Sequence, residues 1–153
     1  MTQRQKAVVD NDGLSCCERL VAKDTENSRW QSDLSVSHEH VGRIRLAQGD
    51  LAATLAEFGV ALKARELLAK KDPNNAGWQR DLASIHVAIG AALIGSGEVE
   101  RGAAEYRAAL AILETLAAKA PDNAAVEKDL DSVRQKVAAL PRAATEPVGE
   151  PKP

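Results

Sequence analysis

The chain has 153 residues, 20 of them basic and 22 acidic, so its formal net charge is only -2. That near balance gives no general reason to expect nucleic-acid or acidic-membrane binding. Aromatic residues make up 3% of the chain, while 28 alanines and 16 leucines dominate it. A sandwich or barrel would need more aromatic and β-branched side chains to cover its pleated faces, so the composition favours helices that approach through small side chains.

In chain order, the first ten residues hold no apolar run long enough for a signal-peptide core. No later stretch approaches the roughly 18 apolar residues of a membrane span. Residues 1–13 are expected to be a frayed N-terminus and 14–23 the last turns of a helix. Cys16 and Cys17 are adjacent and have no further cysteine to join them in a zinc site. Buried free thiols in a reducing, cytoplasmic setting are the plain expectation. A first long helix comes next, with Trp30, Leu34, Ser37, Val41 and Ile44 spaced at helical steps. Gln48-Gly49-Asp50 turns the chain into a second helix over 51–71, whose apolar face is Leu51, Leu55, Phe58, Leu62 and Leu68. Lys71-Asp72-Pro73-Asn74-Asn75 stops that helix and supplies polar caps for the next one.

The third long helix presents Trp78, Leu82, Ile85, Ile89 and Leu93, and Gly95-Ser96-Gly97 ends it. The fourth, over 98–119, presents Val99, Ala103, Tyr106, Leu110, Leu113 and Leu116. A last helix, Val126–Leu140, faces inward with Val126, Leu130, Val133, Val137 and Leu140 and carries a polar outer face suited to a cap. Residues 141–153 hold four prolines and no apolar periodicity, and are expected to be disordered.

These elements repeat. Trp30-Gln31-Ser32-Asp33-Leu34 returns 48 residues later as Trp78-Gln79-Arg80-Asp81-Leu82, and more weakly as Val126-Glu127-Lys128-Asp129-Leu130. Residues 24–71 and 72–119 share 17 identities without a gap, a signal of helix-pair duplication. The identities include His38/His86, Gly42/Gly90, Gly49/Gly97, Ala61/Ala109 and Glu66/Glu114. Glycine in mid-helix costs about 1 kcal/mol relative to alanine. Its recurrence at 42 and 90 predicts a helix crossing too close for a side chain.

With these residues in view, the chain resembles the tetratricopeptide-repeat family. The matching order is a glycine in the first helix, a glycine at the turn, an aromatic in the second helix (Phe58, Tyr106) and a small residue three positions on (Ala61, Ala109). The resemblance covers about residues 14–140 and implies an all-α, antiparallel helix-pair solenoid. It would comprise about two full repeats, a partial N-terminal helix and a C-terminal capping helix. The period is 48 instead of about 34. Thr54 and Gly102 stand where the family favours alanine, and the closing proline is delayed to Pro73 and Pro121. Lengthened repeats with a Trp-Gln-x-Asp-Leu element are similar to those of bacterial multi-repeat signalling proteins.

The titratable residues favour structural roles. His38 and His40 point about 200° apart on one helix, so they do not make a two-ligand metal face. Asp33, Asp81 and Asp129 are repeat equivalents placed to favour helix dipoles. No phosphate loop, nucleophile set or carboxylate pair can be assembled, so no enzyme, cofactor or metal is expected. The resemblance implies that first helices line a concave ligand groove. Opposite the expected buried stripes, that groove would be lined by Glu39, Arg43 and Leu46, by Arg80, Val87, Ala91 and Ile94, and by Lys128 and Gln135. Chaperone-binding members of the family hold a carboxylate clamp with Lys and Asn. Here Glu39, Arg43, Val87 and Ala91 occupy the corresponding places.

The function expected is a non-enzymatic scaffold or adaptor for a protein or peptide partner. The alternatives are a module that self-associates through its N-terminal edge, and a fragment of a larger signalling protein.

Overall fold

The computed structural model describes residue 15, residues 18–24 and residues 27–140. The segments expected to be frayed (1–13) and disordered (141–153), together with Cys16 and Cys17, lie outside the described residues. Six helices pack against their neighbours, and no strand occurs among the described residues. They are α1 (18–23), α2 (Ser28–Ala47), α3 (Leu51–Lys71), α4 (Ala76–Gly95), α5 (Val99–Lys119) and α6 (Ala124–Ala138). The chain divides into two compact units between Ile85 and His86, inside α4.

In the first unit the helix starts are set by short polar side chains. Asn27 Oδ1 accepts from Trp30 N at 3.2 Å, and Asn75 Oδ1 accepts from Trp78 N at 3.1 Å. Each satisfies an amide that has no partner in the first turn. Between α2 and α3 the turn runs through Gly49 at φ 79, and Asp50 Oδ1 caps α3 by accepting from Ala53 N at 3.0 Å. Asp33 and Asp81 lie in second turns and are exposed, and the first turns of α2 and α4 hold no acid. The dipole role expected of them is therefore weak, because that field decays within the first turn.

The α2–α3 pair closes over Gly42. A Cβ there would sit 2.5 Å from Phe58 Cδ1, and Phe58 itself is 1% exposed. The close crossing expected at this glycine is present. The buried face of α2, however, is Gln31, Leu34, Ser35, His38, Glu39 and Gly42. Trp30, Ser37, Val41 and Ile44 are only half-buried. The helix is turned by about 100°, one residue step, from the expected apolar stripe. On α3, Phe58 and Leu68 are buried as expected, joined by Thr54, Ala61, Ala64, Arg65 and Ala69. Leu51, Leu55 and Leu62 stay half-buried. Thr54 is fully enclosed, and its hydroxyl donates to Asp50 O at 2.7 Å.

The second unit repeats the scheme with different side chains. A Cβ on Gly90 would lie 2.7 Å from Tyr106 Cδ1 and 2.9 Å from Gly102 O. One on Gly102 would lie 2.5 Å from Ile94 Cγ1 and 2.7 Å from Gly90 O. Paired glycines thus bring the backbones of α4 and α5 together, which explains Gly102 where a threonine stands one repeat earlier. Tyr106 is 6% exposed, and burial pushes its hydroxyl pKa up. Ile89, Leu93, Ala103, Ala109, Leu113 and Leu116 complete the α4–α5 core. α6 lays Val126, Leu130 and Val133 into it, as expected, with Val137 and Leu140 half-buried. Asn123 Oδ1 starts α6 by accepting from Ala125 N at 3.2 Å and Val126 N at 3.3 Å.

Candidate functional site

Two kinds of site are offered by the described residues: exposed helix faces, and a polar cluster inside the first unit. On α2 the exposed face includes Val36, 44% exposed, and Leu46, 40% exposed, with Arg43 between them. Arg43 keeps most of its side chain in solvent while its guanidinium reaches back to Glu39, with Nη2 donating to Oε1 at 2.6 Å. Arg29 and His40 are exposed on the same side of the helix. This face therefore combines positive charge with isolated apolar side chains.

Glu39 is not a surface residue. It was expected to line a groove, but it is 9% exposed and turned into the protein. The one-residue rotation of α2 carries it there, and Arg65 on α3 meets it. Arg65 Nη2 donates to Glu39 Oε2 at 2.5 Å, Nη1 to Asp81 O at 3.0 Å, and Nε to Ser35 Oγ at 3.4 Å. A guanidinium presents its donors in a planar fork, and here the fork spans α2 and the start of α4. Burial alone would push the Glu39 carboxyl up. Hydrogen bonds from Arg43 and the charge of Arg65 outweigh that and hold its pKa below the ordinary value.

The other expected groove residues are divided between the two units. Arg80, on the first unit's part of α4, is half-buried and engaged in a polar interaction. In the second unit Val87 and Ile94 are half-buried, Ile94 lying against Gly102, while Ala91 is exposed. Lys128 and Gln135 are exposed on α6, where the sequence pattern placed them.

Two histidine–glutamate pairs recur one repeat apart. His38 Nδ1 donates to Glu57 Oε2 at 2.7 Å, and His86 Nδ1 donates to Glu105 Oε2 at 2.7 Å. Each ties the first helix of a pair to the second. Sequence reasoning recognised the histidines as duplicated but missed the glutamates, although Glu57 and Glu105 also match at the 48-residue offset. It missed Arg65 too, and with reason: a lone arginine on a helix carries no mark of burial. Its repeat equivalent is Leu113.

Among the described residues no three His, Cys, Asp or Glu side chains group so as to hold a metal ion. No described helix is long and apolar enough to cross a membrane. Comparison with protein-family models and with curated proteins gives no match to this chain.

Proposed function

We propose that this chain is a non-enzymatic helical-repeat scaffold of the tetratricopeptide type, which holds a protein or peptide segment on exposed helix faces. The observation that carries the reading is the duplication of one helix-pair geometry. The His38–Glu57 and His86–Glu105 bonds have the same length, and Gly42–Phe58 and Gly90–Tyr106 form matching close crossings. A duplicated, rigid helix pair is suited to presenting a preformed surface, which lowers the ordering cost of binding. The face best suited in the first unit is Val36, Arg43 and Leu46 on α2. An acidic segment with small apolar side chains complements it, its register set by the arginine.

Selection of displayed random peptides on the full chain tests the reading. Enrichment of acidic, apolar-containing peptides is expected, with binding weakened about tenfold or more by Arg43→Glu plus Leu46→Asp. Failure to enrich any peptide family would remove the scaffold reading. Peptides that bind the double variant unchanged would move the interface off α2.

Self-association is a second reading. Val60, 37% exposed, and Leu67, 56% exposed, lie two turns apart on one side of α3. Light scattering across a concentration series separates the two readings, since a monomer at every concentration leaves only the first.

A further inference from the structure

His38 is 4% exposed and packed between two carboxylates from different helices. Its Nδ1 is committed to Glu57 on α3. Its Nε2 is enclosed and has no hydrogen-bond partner, and Glu18 Oε1 on α1 lies 3.7 Å away. In the neutral ring whose Nδ1–H donates to Glu57, Nε2 presents a lone pair toward a carboxylate. A buried acceptor without a donor is costly, and one that faces an anion is worse placed still. One proton at Nε2 cures both defects, because it supplies the missing N–H and gives the ring a positive charge between two negative ones.

We propose that His38 is a proton-operated clasp that fastens α1 to the α2–α3 pair. With the ring protonated, Nδ1 holds Glu57, Nε2 attracts Glu18, and α1 is held down. With the ring neutral, only the Glu57 bond remains and the lone pair repels Glu18, so α1 loosens.

The other charged groups around the ring are exposed or committed elsewhere. Arg19 and Lys23 share α1 with Glu18 and are exposed. On α2, His40 is exposed and Glu39 is committed to Arg43 and Arg65. From α3, Arg65 is spent on Glu39, Ser35 and Asp81 O. From the start of α4, Asp81 contributes its backbone carbonyl to that arginine while its side chain is exposed. Glu18 and Glu57 are thus the groups positioned to respond to the ring. As acidity increases further and the carboxyls take up protons, the clasp releases again, so docking of α1 is strongest at mildly acidic pH.

Amide hydrogen exchange of residues 18–23 in the full chain, corrected for the intrinsic pH dependence of exchange, reads the docking directly. Protection is expected to fall about threefold or more between pH 6 and pH 8. Glu18→Gln changes an exposed side chain and leaves the core intact, and it should flatten that dependence. Nitrogen-15 NMR of the His38 ring should show Nε2 gaining a proton as pH is lowered across the same interval. The proposal is overturned by protection that does not change with pH, by an equal pH dependence in Glu18→Gln, or by an Nε2 that stays unprotonated through the interval.

Discussion

Arg65 and Glu39 form a buried ion pair, 2.5 Å between Nη2 and Oε2, at positions whose counterparts 48 residues on are Leu113 and Val87. Ser35, the third member of the cluster, corresponds to Ala83. The same helix-pair scheme is thus filled once with a polar network and once with apolar side chains. Removing one partner of a buried pair strands the other, whereas replacing both with apolar groups is often nearly neutral. Arg65→Leu alone is therefore expected to cost about 3 kcal/mol of stability in urea unfolding. Combining Arg65→Leu with Glu39→Val and Ser35→Ala, the side chains of the second repeat, should recover most of that loss. A triple variant no more stable than Arg65→Leu would show that the network is not exchangeable with the apolar filling.

The same cluster sets an acid response. The Glu39 carboxyl is held below its ordinary value of 4.5 in the folded chain. A depressed carboxylate contributes its full stabilisation above the unfolded pKa and loses it as pH falls through the folded one. Thermal unfolding between pH 6 and pH 2.5 should show the wild-type Tm dropping below about pH 4.5. The triple variant, which lacks this carboxylate, should drop less steeply over that window. Parallel curves would assign the acid sensitivity to other carboxylates.

Much of the architecture was legible because it rests on spacing. Helix existence, the turn glycines, the asparagine caps and the crossings at Gly42 and Gly90 come from periodicity and from the 48-residue offset. The buried face of α2 was not legible. Its apolar stripe through Trp30, Val41 and Ile44 pointed one way, but the helix turned by about one residue because a buried ion pair and a histidine–glutamate bond outweighed it. Glu39 was misplaced for that reason. Sequence periodicity ranks side chains by polarity, and it cannot show that a polar side chain has found a buried partner on another helix.

Glycine at the two crossings should be necessary to different degrees. Alanine gains up to about 1 kcal/mol in helix propensity, against about 1–3 kcal/mol for overpacking. At Gly42 the close atoms of the opposing helix are Phe58 ring carbons and Glu57 Cβ, and a ring can shift. At Gly90 the Gly102 carbonyl also lies 2.9 Å from the new Cβ, so backbone must move. Gly90→Ala should therefore lower Tm more than Gly42→Ala does. Phe58→Leu should restore part of the stability lost in Gly42→Ala, which a variant series in urea would measure. Equal losses at both glycines would mean that the Phe58 ring is as immovable as backbone.

The three asparagine caps offer a graded comparison, since Asn27, Asn75 and Asn123 occupy one place in successive repeats. Asn27 and Asn75 each bond a single tryptophan amide, whereas Asn123 Oδ1 accepts from both Ala125 N and Val126 N. Replacing such a cap with alanine typically costs about 1 kcal/mol. How far that loss spreads depends on the packing of the capped helix. α6 has 15 residues and rests mainly on Val126, Leu130 and Val133, so it has the least packing in reserve. Asn123→Ala should therefore raise amide exchange across Ala124–Ala138 at modest cost to the rest of the chain, as local opening of a terminal element does. Asn75 caps α4, which both compact units share, so Asn75→Ala should lower the global unfolding midpoint instead. A purely local response to Asn75→Ala, or a global one to Asn123→Ala, would reverse that assignment of cooperative structure.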